Sequence, residues 1–129
     1  MKVGIDINPM LEKIVGKGLF LKNTIRVLQV IDKKNEYFLF GKEDPHIELP
    51  PNFHFVKIKG NLGSKWDFKC VALQKLRYRT QVFLTVKSFY SAIFHPHSVF
   101  GLHDVGPLQL PEAYPPATIN KFRRLVPLS

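Results

Sequence analysis

Alternation between short apolar segments and amphipathic segments is the feature that most constrains the fold of this chain. Short apolar or alternating segments with the length and pattern of strands occupy residues 2–7, 36–40, 53–58, 81–86 and 98–102. Between the first two, apolar residues recur at spacings of three and four, which predicts a helix over residues 18–31. Strand, helix, strand in this order is typical of a parallel sheet. We therefore predict an α/β fold, a Rossmann-like parallel sheet flanked by helices.

The remaining segments predict helices and turns between these strands. In the first helix, Leu21, Ile25 and Leu28 and a second set at Phe20, Val27 and Ile31 are expected to form one helical face. Ser64 is a candidate N-cap for a helix through Trp66, Cys70 and Leu73, and a final helix is expected near residues 117–126. Asn8-Pro9 predicts a turn and residues 107–116 a proline-rich loop.

Length and composition favour one globular domain spanning residues 1–129. Hydrophobic residues make up 45% and charged residues 22%, which is the balance of a folded chain and not of a disordered one. No apolar run approaches the roughly 20 residues of a membrane-spanning helix, and an acid, Asp6, stands where a signal peptide would be apolar. The single cysteine, Cys70, has apolar neighbours and predicts a buried thiol in a reducing compartment, so we expect a cytoplasmic protein.

Several familiar site motifs are incomplete. Gly16-Lys17-Gly18 begins like a dinucleotide fingerprint, but Leu21 stands at its sixth position, and the residue after Lys17 is not the Ser or Thr of a P-loop. His95, His97 and the pair His103-Asp104 have side chains that suit zinc, yet they lack a recognised ligand spacing. We therefore predict no metal site and no cofactor.

Four segments in order resemble the N-terminal domain of family-4 glycosyltransferases, which are retaining enzymes of the two-domain GT-B type. The first joins Val-Gly-Ile-Asp to Gly-Lys-Gly-Leu-Phe, the second runs from an acid to an aromatic strand, the third is Trp-Asp at a helix start, and the fourth is Leu-His-Asp-Val before Leu-Pro-Glu-Ala-Tyr-Pro-Pro. They occupy residues 3–6 with 16–25, 32–40, 66–67, and 102–105 with 110–116. The resemblance covers nearly the whole chain, and the order of the segments carries it.

The resemblance implies a function and a set of site residues. Gly16, Lys17 and Gly18 would face the diphosphate of a nucleotide-sugar donor, whereas the alternative is a plain helix-entry turn. His103 would contact the donor sugar near the reacting carbon, with Asp104 orienting it or accepting from acceptor hydroxyls. The alternative for His103 is a strand-end histidine bonded to a backbone carbonyl. Trp66 is expected to be a core anchor rather than a platform for the acceptor.

Departures from the family pattern limit this implication. The glycine cluster at Gly16-Lys17-Gly18 is short, and Leu84 stands where relatives commonly have a histidine, which puts acceptor recognition in doubt. The second, donor-binding domain of relatives has no counterpart here, so we expect a single acceptor-side domain that needs that domain or a complementary subunit. Its expected partners are a nucleotide sugar and a glycan or lipid-linked acceptor.

The net charge of +9 is concentrated in one stretch, since residues 57–87 hold eight Lys or Arg and one acid, Asp67. Such a run is typical of a solvated face, but it also fits a non-catalytic binding module that holds an anionic membrane or a partner subunit. Nucleic-acid binding would rest on charge alone, because no nucleic-acid-binding motif is visible. We therefore expect no nucleic-acid partner, and peripheral contact with an anionic membrane stays an alternative.

Overall fold

Parallel strands form a central sheet that is five strands wide in the described part of the chain. The computed structural model describes residues 1–11, 16–61, 64–87, 93–102 and 106–125. The strands are β1 (Lys2–Asp6), β2 (Glu36–Gly41), β3 (Phe53–Lys57), β4 (Val82–Thr85) and β5 (Ser98–Phe100). They lie in the order β3-β2-β1-β4-β5, and each neighbouring pair is parallel. The predicted α/β fold with a Rossmann-like parallel sheet is confirmed.

Helices follow β1, β3 and β5, whereas residues 42–52 join β2 to β3 without a helix. The first two are α1 (Asn8–Leu11) and α2 (Lys17–Ile31), and α3 (Ser64–Leu73) continues into a π-helical turn at Gln74–Tyr78. After β5 the chain forms α4 (Gly106–Gln109), a 3-10 turn (Pro111–Ala113) and α5 (Pro116–Leu125). Over residues 116–124 the last helix has no fully buried side chain.

Two predicted irregular segments contain short helices. The predicted turn at Asn8-Pro9 is the start of α1, and the predicted loop over residues 107–116 contains α4 and the 3-10 turn. In each case a proline occupies the first or second helical position, namely Pro9, Pro107 and Pro111. Proline is well tolerated there because the first amides of a helix have no intrahelical acceptor. Proline marks a helix start in these segments.

The sheet buries different side chains on its two faces. Ile5 and Leu39 point toward Leu21 and Ile25 of α2, and this side is called the α2 face. Phe38, Phe40 and Phe83 point the other way, toward Trp66 and Cys70 of α3, and that side is called the α3 face. Successive residues of a strand alternate between faces, so helices cover both sides of the sheet.

Only one of the two apolar sets in α2 faces the core. Leu21 and Ile25 are fully buried, whereas Phe20, Val27 and Ile31 are exposed. At about 100° per residue, the second set lies roughly a quarter turn or more away from the first. The expectation of a single buried face was therefore wrong, and α2 presents an apolar stripe to solvent.

Candidate functional site

The order of the strands defines where a ligand site is expected. From β1 the chain moves outward to β2 and β3, and it then returns to place β4 on the other side of β1. In open α/β sheets, ligands bind outside the carboxyl ends of the strands where the strand order reverses. Here that point lies between the ends of β1 and β4, which carry Asp6 and Thr85.

Asp6 is a buried carboxyl group at this edge. Its Oδ1 accepts hydrogen bonds from the backbone N–H of Asn8 at 3.1 Å and from Asn8 Nδ2 at 2.8 Å. Asn8 Oδ1 in turn accepts from the backbone N–H of Lys42 at 3.0 Å. These bonds join the end of β1 to α1 and to the end of β2, so the turn that follows β1 is held from both sides.

The environment of Asp6 changes its acidity. Burial raises the pKa of Asp6 to about 6, the charge of Asp67 acts in the same direction, and the Asn8 hydrogen bonds and Lys87 oppose it. A carboxyl group with this pKa changes protonation state close to neutral pH. Asp6 was not predicted as a site residue, although an acid at the end of an apolar strand is a visible signal for one.

Gly16 and Gly18 are glycines for different structural reasons. Gly16 precedes the first residue of α2 with φ 51°, a conformation that favours glycine. Gly18 is buried, and a Cβ there would lie 2.5 Å from the carbonyl oxygen of Pro9. Gly18 therefore lets α2 pack against α1, whereas a Cβ at Gly16 would meet no described atom within 4 Å.

The N-terminus of α2 has two features that bear on the role predicted for Gly16 and Lys17. No side chain in the described residues caps it at Gly16, and Lys17 is exposed. A helix N-terminus has unsatisfied N–H groups and a partial positive charge, both of which favour anions. The position of Gly16 and Lys17 at this helix start therefore suits a phosphate group. At Gly18, close packing against α1 is sufficient to explain the glycine.

His103 and Asp104 lie outside the described residues. The strand before them, β5, ends at Phe100 and runs parallel to β4. Its carboxyl end therefore lies at the same edge of the sheet as Asp6 and Thr85. The roles predicted for His103 and Asp104 stay predictions.

Buried polar side chains on the α3 face are linked in a chain of hydrogen bonds that runs from Cys70 to His95. Gln74 Nε2 donates to Cys70 Sγ at 3.1 Å, and Thr80 Oγ1 donates to Gln74 Oε1 at 3.2 Å. Thr80 Oγ1 also lies 3.3 Å from His95 Nε2, and His95 Nδ1 accepts from the backbone N–H of His97 at 3.3 Å. Since Nδ1 is an acceptor, neutral His95 carries its proton on Nε2 and donates to Thr80.

This polar chain keeps its titratable members uncharged. Burial lowers the pKa of His95, and burial together with the charge of Asp6 raises the pKa of the Cys70 thiol well above its usual range. A thiol with a raised pKa is a poor nucleophile. Cys70 is buried as predicted, and its environment is that of a structural residue.

Gly4 makes room for this chain. A Cβ on Gly4 would lie 2.6 Å from Gln74 Oε1 and 3.2 Å from Phe40 Cε2. The glycine in the middle of β1 therefore allows the buried amide of Gln74 to lie directly over the sheet.

Trp66 is also buried on the α3 face, and its Nε1 donates to the carbonyl of Ile58 at 3.3 Å. The prediction of Trp66 as a core anchor is confirmed.

The described residues contain no group of three or more His, Cys, Asp or Glu side chains that could hold a metal ion. Both ring nitrogens of His95 already have partners. Within the described part of the chain, no helix is long and apolar enough to span a membrane.

In comparisons with known proteins, no family model matches this chain, and no curated protein or solved structure is significantly similar to it.

Proposed function

We propose that this chain is the acceptor-side half of a retaining glycosyltransferase. In this proposal the carboxyl edge of the sheet forms one wall of a site in which a sugar passes from a nucleotide-sugar donor to a hydroxyl group. The acceptor is a glycan or a lipid-linked molecule. The observation that carries the proposal is the N-terminus of α2, which no described side chain caps and which packs against the segment after β1, near the point where the strand order reverses.

The diphosphate of the donor would bind at the N-terminus of α2. The N–H groups of the first helical turn would donate to phosphate oxygens, and Lys17 would add a positive charge. Gly16 supports this role because the space beside its Cα is open among the described residues. The backbone can therefore approach a phosphate group without a side chain in between.

His103 and Asp104, which follow β5 in the sequence, would contact the sugar. A neutral imidazole can donate one hydrogen bond and accept another, which suits sugar hydroxyls. Catalysis in such a site consists mainly of positioning the acceptor and stabilising the leaving diphosphate. The donor-binding half would come from a second domain or a complementary subunit. The family resemblance implies no metal, and the single buried thiol of Cys70 is in line with a cytoplasmic location.

Titration with inorganic pyrophosphate, followed by amide NMR of the 129-residue chain, tests the anion site. We expect the largest shifts at residues 16–19, and we expect Lys17→Ala to weaken binding by about fivefold, as for the loss of one charge-assisted contact. Lys34→Ala removes an exposed lysine elsewhere and should leave the affinity unchanged. Shifts centred on another surface, or an equal effect of both variants, would contradict the proposal.

The sugar-contact role needs a separate measurement. His103→Gln should weaken binding of a nucleotide sugar, chosen from uridine, guanosine and adenosine diphosphate sugars, while leaving pyrophosphate affinity unchanged. The 129-residue chain alone should transfer no sugar from any of these donors. Turnover by the purified chain would contradict the requirement for a second half.

A further inference from the structure

A groove with an apolar floor and a basic rim lies between the carboxyl end of β3 and α3. It has a volume of about 410 Å³. The floor is formed by Ile58, Ala72 and Leu73 and the rim by Lys57, Lys59 and Lys69, and the exposed Leu76 lies at the margin of the groove. We call this surface the lysine groove.

The lysine groove is strongly positive. All three rim lysines are exposed, and in the described part of the chain none of them lies within ion-pair distance of a carboxylate. Lys65, one helical turn before Lys69, is exposed as well. The charge of the rim is therefore available to an anionic partner.

Leu76 distinguishes this surface from a simple solvated basic face. It belongs to the π-helical turn after α3 and is 80% exposed, the most exposed large apolar side chain described. A soluble polyanion, including nucleic acid, would satisfy the lysines but would leave Leu76 in water. An anionic bilayer surface satisfies both, because headgroups bind the lysines while the apolar side chain enters the interface.

We propose that the lysine groove docks this protein on an anionic lipid bilayer. The rim lysines bind lipid phosphates, and Leu76 inserts at the level of the headgroups and the first carbons of the acyl chains. The proposal does not depend on glycosyl transfer.

Vesicle flotation with the purified 129-residue chain tests the proposal. We expect binding to mixed phosphatidylcholine–phosphatidylglycerol vesicles but not to phosphatidylcholine alone, and weaker binding at high salt. Lys57→Glu/Lys69→Glu should lower partitioning by about tenfold or more, since each basic residue near the surface contributes several-fold. Leu76→Ser should lower it by roughly tenfold as its insertion is lost, without changing the dependence on salt.

Matched variants separate this surface from net charge and general hydrophobicity. Arg26→Glu/Lys34→Glu makes the same change in net charge at exposed positions elsewhere, and Val30→Ser removes an apolar side chain that is 74% exposed on α2. Both should partition like the unmodified chain. Equal losses in these controls, or no binding to anionic vesicles, would overturn the proposal. So would an unchanged Leu76→Ser variant whose vesicle binding is competed by polyuridylate, because that outcome indicates a nucleic-acid surface.

Discussion

The two faces of the sheet are built from different kinds of side chain. The core of the α2 face is apolar, apart from Tyr37, whose hydroxyl reaches the rim and donates to Asp32 Oδ2 at 2.6 Å. The α3 face buries the carboxyl group of Asp6 and the polar chain that runs from Cys70 to His95. Away from Tyr37, the packing of the α2 face around Ile25 is apolar, so its contribution to stability does not depend on pH. A face that buries titratable groups ties the stability of the fold to protonation.

The largest expected effect comes from the α2 face. Ile25→Ala removes a fully buried side chain and should lower the free energy of unfolding by about 2–5 kcal/mol through lost burial and a residual cavity. Urea unfolding followed by circular dichroism measures this loss, which should be equal at about pH 5 and about pH 8 because the site contains no titratable group. The exposed neighbour Arg26→Ala should change stability by less than about 0.5 kcal/mol. A loss at Ile25 that depends on pH would break the contrast between the faces.

On the α3 face, Asp6 should make stability fall as pH rises. Its pKa of about 6 lies above the 3.8 of an unperturbed carboxyl, so the folded chain binds the proton more tightly than the unfolded chain does. That contribution is fully present below about pH 4 and is lost as pH rises through about pH 6. Each unit of pKa corresponds to about 1.4 kcal/mol, so the loss is on the order of 2–3 kcal/mol.

Asp6→Asn tests this dependence, since its Oδ1 can still accept both Asn8 hydrogen bonds. The variant should be more stable than the unmodified chain at about pH 8, and the difference should disappear toward about pH 4. Urea unfolding across this range gives the comparison, with Glu43→Gln as an exposed control that also removes one carboxylate. If Asp6→Asn is less stable than the unmodified chain at both pH values, the fold stabilises the charged carboxylate. The direction assigned to the pKa shift of Asp6 would then be wrong.

The contrast between the faces was only partly predictable from the sequence. The short aromatic-rich run at residues 36–40 predicts a buried strand, and residues 37–40 are buried in β2. The rotation of α2 was not predicted, because Leu21 and Phe20 are equally apolar and only packing against the sheet decides which one is buried. Gly16 and Gly18 look alike in the sequence, yet one is set by its own φ and the other by contact with Pro9. Such differences depend on contacts with other segments.

The environment of Asp6 illustrates the same limit at the candidate site. An acid after an apolar strand is visible in the sequence, but its interaction with Asp67 and Cys70 requires α3 to lie over the end of β1. Those residues are more than sixty positions apart. Local patterns fix neither the strand order that brings them together nor the rotation of α3. The polar chain from Cys70 to His95 was missed for the same reason.

Substitution of His95 should have the smallest effect on stability, and its dependence on pH should be opposite to that at Asp6. Burial lowers the pKa of His95, so the unfolded chain binds the proton more readily, and stability is lost as pH falls below the ordinary histidine value of about 6.5. Lys75 and His97, which lie nearby, act in the same direction. At about pH 8, His95→Gln should cost about 1 kcal/mol, because the backbone N–H of His97 loses the acceptor Nδ1. Toward about pH 5 the deficit should shrink, since the variant has no ring to protonate, and the exposed His46→Gln is the matched control. Urea unfolding at both pH values measures the change.

A deficit of His95→Gln that grows toward acid pH would mean that the fold stabilises the protonated ring. The α3 face would then not hold His95 neutral.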